Sequence, residues 1–215
     1  MRFSTFYKII NEINTLNLPG EEFQLLMAPP FRDQLINKFK KSRNKAYPAA
    51  VLCLFYPGQN QETSVVFIVR KSNSGVHSSQ VGFPGGKPEE QDIDLSQTAI
   101  RETHEEVGVD IKTIKIIRPM TEVFIPPSNF VVKPYIGYTL KTPNFTPQIS
   151  EIDSVLEVSL KSILNSNNQK TSIVKTSYGP SISVPSFVFN GHIIWGATAM
   201  ILIEIISLLN LINKK

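Results

Sequence analysis

The chain has 215 residues and carries 22 basic against 18 acidic side chains, which gives a formal charge of +4. Five of the positive charges lie within eight residues, and without them the chain is close to neutral. A hydrophobic fraction of 41% with 19% charged residues is ordinary for a folded domain, and it excludes collagenous, disulfide-rich and wholly disordered chains. The length predicts one domain with an extension rather than two full domains.

The single cysteine, Cys53, lies within the apolar run of residues 49–55. One cysteine excludes an internal disulfide and a metal site built from thiolates, and its apolar neighbours predict a packed core position. The first twelve residues contain no unbroken apolar stretch followed by a cleavage site, so no secretory signal is expected. A reducing cytoplasm is therefore the expected setting.

The first 45 residues form the predicted extension. Their apolar residues recur at helical spacing, break at Leu18-Pro19-Gly20 and resume before the basic residues, which predicts helices. The apolar positions are Phe3, Phe6, Ile9, Ile10, Ile13 and Leu16, then Phe31, Leu35, Ile36 and Phe39. The basic cluster consists of Lys38, Lys40, Lys41, Arg43 and Lys45. This cluster is typical of a solvated face or a linker, and the alternative is a docking surface for phosphates.

Strands are predicted from residue 47 onward. Residues 49–56 and 64–70 are apolar runs separated by a polar turn, which predicts a hairpin. Residues 80–83 predict a short strand that stops at Pro84-Gly85-Gly86. Further strands are expected over residues 111–118, 131–140, 154–158 and 192–195.

Residues 196–211 are so apolar that a membrane span has to be considered. Glu204 and Asn210 are the clearly polar residues of this run. The run barely reaches the ~20 residues that a bilayer requires, and a carboxylate lies near its middle. A buried core helix is therefore predicted.

One amphipathic helix is predicted in the middle of the chain. It runs from Asp94 or Ser96 to Val107, and Gly108 follows in the usual C-terminal capping position. Its packing face is predicted to comprise Ser96, Ala99, Ile100, Thr103 and Val107.

Three carboxylates, Glu102, Glu105 and Glu106, share another face of this helix, displaced by roughly 120° from the packing face, where we expect an exposed acidic cluster. Like charges within one turn repel, and hard divalent cations compensate such repulsion because they prefer carboxylate oxygens. A solvated acidic face is the alternative. The preceding Gly85-Gly86 favours the metal site, because a glycine backbone turns sharply and offers a carbonyl to a ligand.

A spaced pattern of glycine, acid and arginine surrounds the three carboxylates. Five residues separate Gly86 from Asp92, and eight residues separate Asp92 from the run Arg101-Glu102-Thr103-His104-Glu105-Glu106-Val107-Gly108-Val109. This pattern resembles the Nudix box, whose usual form is Gly, five residues, Glu, seven residues, then Arg-Glu-apolar-any-Glu-Glu-any-Gly-apolar. Two departures are the aspartate with one extra spacer residue and Thr103 at an aliphatic position. Neither departure touches the three glutamates.

Residues outside the box extend the resemblance and limit it to one branch of the superfamily. The segments that carry it are Ala49-Ala50-Val51-Leu52, Val69-Arg70-Lys71-Ser72, His77-Ser78-Ser79-Gln80-Val81-Gly82-Phe83-Pro84-Gly85-Gly86-Lys87, the acids Asp92 and Asp94, Pro126-Pro127-Ser128-Asn129-Phe130-Val131-Val132-Lys133-Pro134-Tyr135, Glu151-Ile152 and Ile194-Trp195-Gly196-Ala197-Thr198-Ala199. Together they resemble the coenzyme A pyrophosphatase branch of the superfamily, in which the longer box is usual. Ser79 departs from that pattern, where glycine is more typical. The likeness extends over residues 49–209.

The resemblance implies a fold and an activity. The fold is α/β (α+β), a Nudix-type α/β/α sandwich with a mixed central sheet in residues 46–215, preceded by the helical extension of residues 1–45. The box helix is expected on one side of the sheet and residues 196–211 on the other. The family cleaves the diphosphate of coenzyme A and its derivatives with Mg²⁺ or Mn²⁺, giving 3',5'-ADP and a 4'-phosphopantetheine product.

The resemblance also implies roles for single residues. Glu102 and Glu106 are the first-choice metal ligands, and Glu105 with the Gly86 carbonyl are further candidates. Arg101 would hold the glutamates in place, and Glu151 is the expected distal carboxylate. We expect direct attack by metal-activated water, with Glu102, Glu106 or Glu151 as the base; the sequence leaves that choice open.

Coenzyme A carries a 3'-phosphate, whose recognition requires cations besides the metals. Arg70, Lys71 and Lys87 are the candidates, and His77 is a further candidate for contacting substrate. Structural salt bridges are the alternative for the three cations. Trp195 is predicted to pack in the core rather than to stack on a base.

Other activities stay open at this point. The same fold also serves hydrolases of ADP-ribose, NADH or nucleoside triphosphates, and a catalytically silent nucleotide-binding module is a further alternative. The expected partner is a small-molecule nucleotide of the coenzyme A class, with no nucleic acid and no membrane span. A homodimer is compatible with the sequence.

Overall fold

A computed structural model describes residues 1–71, 80–176 and 179–213 of the chain. The helices are α1 (Phe3–Lys8), α2 (Ile10–Thr15), α3 (Glu21–Leu25), α4 (Arg32–Lys38), α5 (Lys40–Arg43), α6 (Leu95–Val107), α7 (Leu160–Ile163) and α8 (Gly196–Asn213). The strands are β1 (Tyr47–Pro57), β2 (Thr63–Arg70), β3 (Val81–Gly82), β4 (Gly85–Gly86), β5 (Lys115–Pro119), β6 (Val123–Ile125), β7 (Phe130–Tyr138), β8 (Ile152–Ser159), β9 (Gln169–Thr176), β10 (Gly179–Phe189) and β11 (His192–Trp195).

A mixed sheet forms the centre of the molecule. Strand β1 pairs in parallel with β7 and antiparallel with β2, so the predicted hairpin is confirmed. The strand order is β3-β2-β1-β7-β5, with β4 also paired to β1, β6 to β7 and β8 to β2. Strands β9, β10 and β11 form a second, antiparallel sheet.

The two faces of β1 pack against different helices. Alternate side chains of a strand point to opposite sides of a sheet. Ala50, Leu52 and Leu54 join the core cluster beside α6, whereas Cys53 and Phe55 join the cluster beside α8. Because both faces are buried, β1 is a continuous apolar run rather than an alternating one. The predicted α/β/α layering with a mixed sheet is confirmed.

The predicted helices of the first 45 residues are present, and the first of them belong to the main core. Phe6 is fully buried, and its ring stacks on Phe55 with the centroids 4.5 Å apart. Ile13 is also fully buried, and Met27 is 5% exposed. The division of the chain into an extension and a domain at residue 45 stays a prediction.

The carboxylate within the apolar sequence of helix α8 has hydrogen-bond partners in other parts of the chain. Glu204 is fully buried and accepts hydrogen bonds from the Gly20 backbone N–H (3.1 Å), Gln24 Nε2 (2.8 Å) and Thr121 Oγ1. The predicted buried core helix is confirmed, with Met200 and Leu208 fully buried. None of the helices within the described ranges combines the length and apolarity that a bilayer crossing requires.

Four strands escape the sequence patterns. Strands β4, β6, β9 and β10 were not predicted, and residues 111–113 form a single 3₁₀ turn ahead of β5 instead of strand. Ile173 of β9 is 74% exposed, so β9 lacks a clear apolar face. Pro180 and Pro185 interrupt the strand signal of β10. Pairing with neighbours, rather than local propensity, holds these strands.

Candidate active site

Helix α6 is fixed at both ends by its own sequence. Asp94 caps the N-terminus, where Oδ1 accepts hydrogen bonds from the backbone N–H groups of Ser96 (2.8 Å) and Gln97 (3.0 Å). At the C-terminus Gly108 has a φ of 78°, and a Cβ there would lie 2.9 Å from the Thr146 side chain. Glycine is therefore required at this turn. The predicted helix is confirmed.

Arg101 connects the helix to the loop before it. Nη1 donates to Glu102 Oε1 (3.2 Å) and Glu105 Oε2 (2.9 Å), and Nη2 donates to the Lys87 carbonyl (2.8 Å). Nε and Nη2 both bind Asp92, at 3.1 and 3.0 Å from its two carboxylate oxygens. The hydrogen bond from Arg101 is the main reason that the pKa of Asp92 falls to about 2. Although the box is one residue longer than usual, its upstream acid, Asp92, still binds Arg101.

Glu106 lies inside the molecule rather than on an exposed acidic face. It is 1% exposed, which corrects the expectation that all three glutamates are presented to solvent. Its Oε2 accepts a hydrogen bond from the Gly85 N–H (2.8 Å), and its Oε1 lies 3.3 Å from Arg70 Nη2. Burial raises the pKa of Glu106 to about 7, although Arg70 and the Gly85 N–H act in the opposite direction.

Glu102 lies directly against strand β4. A Cβ on Gly86 would lie 2.3 Å from Glu102 Oε1, so this close approach depends on glycine. The Glu102 side chain is 16% exposed, and burial raises its pKa against the opposing charge of Arg101. Glu102 and Glu106 are therefore two partly desolvated carboxylates beside the Gly85-Gly86 backbone.

The remaining acids lie at the edge of this pair. The Glu105 side chain is 44% exposed and is held by Arg101. Glu151 precedes β8, and its carbonyl accepts a hydrogen bond from the Lys71 N–H (3.2 Å). The charge of Glu151 contributes to the raised pKa of Glu106, so the two carboxylates are close enough to interact. The roles of Glu105 and Glu151 stay predictions.

The predicted substrate cations differ in their surroundings. Arg70 donates to the Gly85 carbonyl (3.0 Å) and pairs with Glu106, so the structural alternative is realised there. Lys87 is exposed, and its Nζ lies 5.3 Å from the centroid of the Phe130 ring. Lys71 lies at the end of β2, beside Glu151. His77 lies outside the described residues.

A cavity of about 480 Å³ opens beside these groups. Arg70, Gly86 and Lys87 line one part of it. Trp195 lies on its wall and is half-buried, so the expectation that this ring packs within the core is wrong. Arg32, which the sequence did not single out, also lines the cavity and is 9% exposed. A buried arginine at the start of a helix carries no sequence signal, because only tertiary contacts bury it.

Residues 46–172 match the NUDIX domain family. The chain belongs to this family. The matched range contains α6, β4 and the network around Arg101, so the resemblance read from the box residues is confirmed. The N-terminal helices and α8, which complete the core of this Nudix protein, lie outside the matched range.

Two relatives show how far the similarity to other Nudix proteins extends. Nudix hydrolase 15, mitochondrial, of Arabidopsis thaliana is 31% identical over 191 residues, which cover 86% of this chain and 64% of that protein. Mitochondrial coenzyme A diphosphatase NUDT8 of Mus musculus is 30% identical over 141 residues, covering 64% of this chain and 67% of that protein. The chain thus spans about two thirds of the length of these relatives.

A solved structure supports the fold. The MutT/nudix family protein from Enterococcus faecalis superposes with a TM-score of 0.52 at 15% identity, covering 84% of this chain and 70% of that one. The chain therefore belongs to the Nudix family by sequence, and its fold agrees with that assignment. Its expected cytoplasmic setting is not confirmed, because the names of its relatives include mitochondrial proteins. The expected homodimer also stays a prediction.

Proposed function

We propose that this Nudix hydrolase cleaves the diphosphate of coenzyme A or of its thioesters, giving 3',5'-ADP and 4'-phosphopantetheine or its acyl form. The observation that carries the proposal is the pair of partly desolvated carboxylates, Glu102 and Glu106, held beside the Gly85-Gly86 backbone at a cavity. The mouse relative named a coenzyme A diphosphatase supports the substrate class. The flanking segments that resemble that branch support it independently.

The donor chemistry of the site suits Mg²⁺ or Mn²⁺. Glu102 and Glu106 offer hard oxygen atoms one helical turn apart. Burial raises the pKa of both carboxyls, and the charge of Glu102 raises that of Glu106 further, so a bound cation would compensate the cost of ionising them. Within the described ranges, no group of three or more His, Cys, Asp or Glu side chains is already arranged as a ligand set. We infer that Glu102 and Glu106 hold the cation, with Glu105 and the Gly86 carbonyl as further donors.

The side chains of the protein position the reacting groups and transfer the proton. A bound divalent cation supplies charge neutralisation on the diphosphate and a water that loses its proton more readily. Arg101 fixes Glu102 against the loop, and the Gly85 N–H fixes Glu106. The base that accepts the proton of the reacting water is Glu102, Glu106 or Glu151. The water oxygen joins one phosphorus, the bridging P–O bond breaks, and both products leave as phosphate monoesters.

One assay tests the substrate class. The protein is incubated with coenzyme A, acetyl-coenzyme A, ADP-ribose, NADH and nucleoside triphosphates, with and without Mg²⁺ or Mn²⁺, and the products are separated by chromatography. We expect 3',5'-ADP and a phosphopantetheine product in the presence of metal. Faster turnover of ADP-ribose than of every coenzyme A species would contradict the proposed substrate.

Two variants test the assigned carboxylates in the same assay. Glu102→Gln and Glu106→Gln should each lower kcat by about 100-fold or more, because each removes a charge that the metal and the reacting water require. Glu122→Gln is the matched control, since the Glu122 side chain is 53% exposed and pairs with Lys133 rather than with a box residue. Wild-type turnover by a folded Glu102→Gln or Glu106→Gln protein would show that the assignment is wrong.

A further inference from the structure

Arg32 is a buried cation without a full set of partners. It begins α4, is 9% exposed and lines the cavity beside Gly86. Its Nε has no hydrogen-bond partner, and its guanidinium has no carboxylate within 4 Å, among residues 1–71, 80–176 and 179–213. A desolvated and unpaired charge is costly, so such a group is retained where a ligand compensates it.

The neighbouring charges do not neutralise Arg32. Burial is the largest influence and lowers its pKa, and Arg43 acts in the same direction. Glu21 and Asp33 act in the opposite direction and more weakly than burial. The guanidinium lines the cavity without a carboxylate partner among the described residues, so it is available to an anion that binds there.

The shape and lining of the cavity indicate what that occupant is. A volume of about 480 Å³ falls in the range of small-molecule sites. Its walls are mainly apolar and include the rings of Phe31, Phe83, Phe130 and Trp195, which suit a flat base. Charged groups occur at Arg70 and Lys87, next to the carboxylate pair, and again at Arg32. The ligand therefore combines an aromatic ring with an anion separate from the cleaved diphosphate.

We propose that this cavity binds the nucleoside half of the substrate and that Arg32 pairs with a phosphate monoester on its ribose. The inference rests on the proposed function, since coenzyme A carries a 3'-phosphate on its adenosine. If the pantetheine arm occupied the cavity instead, Arg32 would stay unpaired, because that arm carries no second anion. Arg32 lies outside the range that matches the family, so this contact with the substrate comes from the N-terminal segment.

The test compares two substrates that differ by this one phosphate. The kcat/KM values for coenzyme A and 3'-dephospho-coenzyme A are measured for the wild type, Arg32→Met and Arg32→Lys. We expect the wild type to prefer coenzyme A by about 10- to 100-fold, the strength of a charge-assisted hydrogen bond. The preference should fall to about one in Arg32→Met and survive in part in Arg32→Lys. Equal losses on both substrates would show a merely structural role and overturn the inference.

A binding measurement separates this inference from the proposed function. Calorimetry of the metal-free protein with 3',5'-ADP and 5'-AMP should show tighter binding of 3',5'-ADP, and Arg32→Met should abolish the difference. That result would support the inference even if no coenzyme A species were cleaved. Cleavage of coenzyme A with an unchanged preference in Arg32→Met would leave the proposed function standing and overturn the inference. If Arg32→Met changed only the preference among acyl chains, the cavity would bind the acyl arm of the substrate. That result would also overturn the inference.

Discussion

At the scale of single residues, the ion pair with Asp92 holds the Arg101 side chain in place. The planar guanidinium binds both oxygens of Asp92 on one side and the box glutamates on the other. Asp92 thus orients the arginine that in turn orients Glu102. The spacing of these residues is visible in the sequence, but this contact is not, because the loop between Lys87 and Leu95 could take several paths.

Asp92→Asn should lower both activity and stability. Without its charged partner Arg101 no longer fixes Glu102, and an effect of about 10- to 100-fold on kcat/KM is expected for such a supporting residue. Because the folded-state pKa of Asp92 is depressed from 3.8 to about 2, its stabilising contribution is present above pH 3.8 and is lost as the pH falls through 2. Urea unfolding should therefore separate wild type from variant at pH 6 more than at pH 3 or below.

Asp153→Asn provides the matched control for that comparison, because Asp153 is exposed on β8. It should leave activity unchanged and show no comparable pH-dependent difference in unfolding free energy. A constant gap between wild type and Asp92→Asn from pH 6 to pH 3 would contradict the ion pair with Arg101.

At the scale of elements, the two glycines of strand β4 have different neighbours. A Cβ on Gly86 would meet the end of the flexible Glu102 side chain, whereas a Cβ on Gly85 would lie 2.2 Å from the backbone oxygen of Ala50. Gly86→Ala should therefore lower kcat at least 10-fold by displacing Glu102, with little change in Tm. Gly85→Ala should lower Tm markedly, because paired strand backbone cannot move aside. Equal effects of the two substitutions on Tm would contradict this distinction.

Prediction of elements from the sequence succeeded where the local pattern and the tertiary environment agree. Helix α6 carries its own cap residues and an apolar face, and β1 and β2 are apolar runs around a polar turn, so all three were predictable. Strand β9 has an exposed polar surface and β10 contains two prolines, so neither has a local signal. In the site, spacing revealed the three glutamates, but the burial of Glu106 and Arg32 depends on distant segments.

At the scale of the whole molecule, a buried carboxylate attaches the N-terminal helices to the sheet. Glu204 of α8 binds Gly20, Gln24 and Thr121 from three other parts of the chain. Glu204→Leu should lower the free energy of unfolding by about 1–3 kcal/mol, because the buried donors lose their acceptor. Urea unfolding measures this, with Asn210→Leu on the exposed side of the same helix as control, expected within about 0.5 kcal/mol of wild type. Similar values for both variants would contradict the role of Glu204.

The cavity is lined by Phe31 and Arg32 of the N-terminal segment and by Trp195 and Met200 near the other end of the chain. It is therefore a seam between the N-terminal segment and the rest of the chain. A molecule bound in a seam acts as a reversible cross-link, and by mass action a ligand at 100 times its Kd adds about 2.7 kcal/mol to the stability of the joined state. We therefore expect the chain to become more resistant to proteolysis within the basic cluster as the concentration of substrate rises.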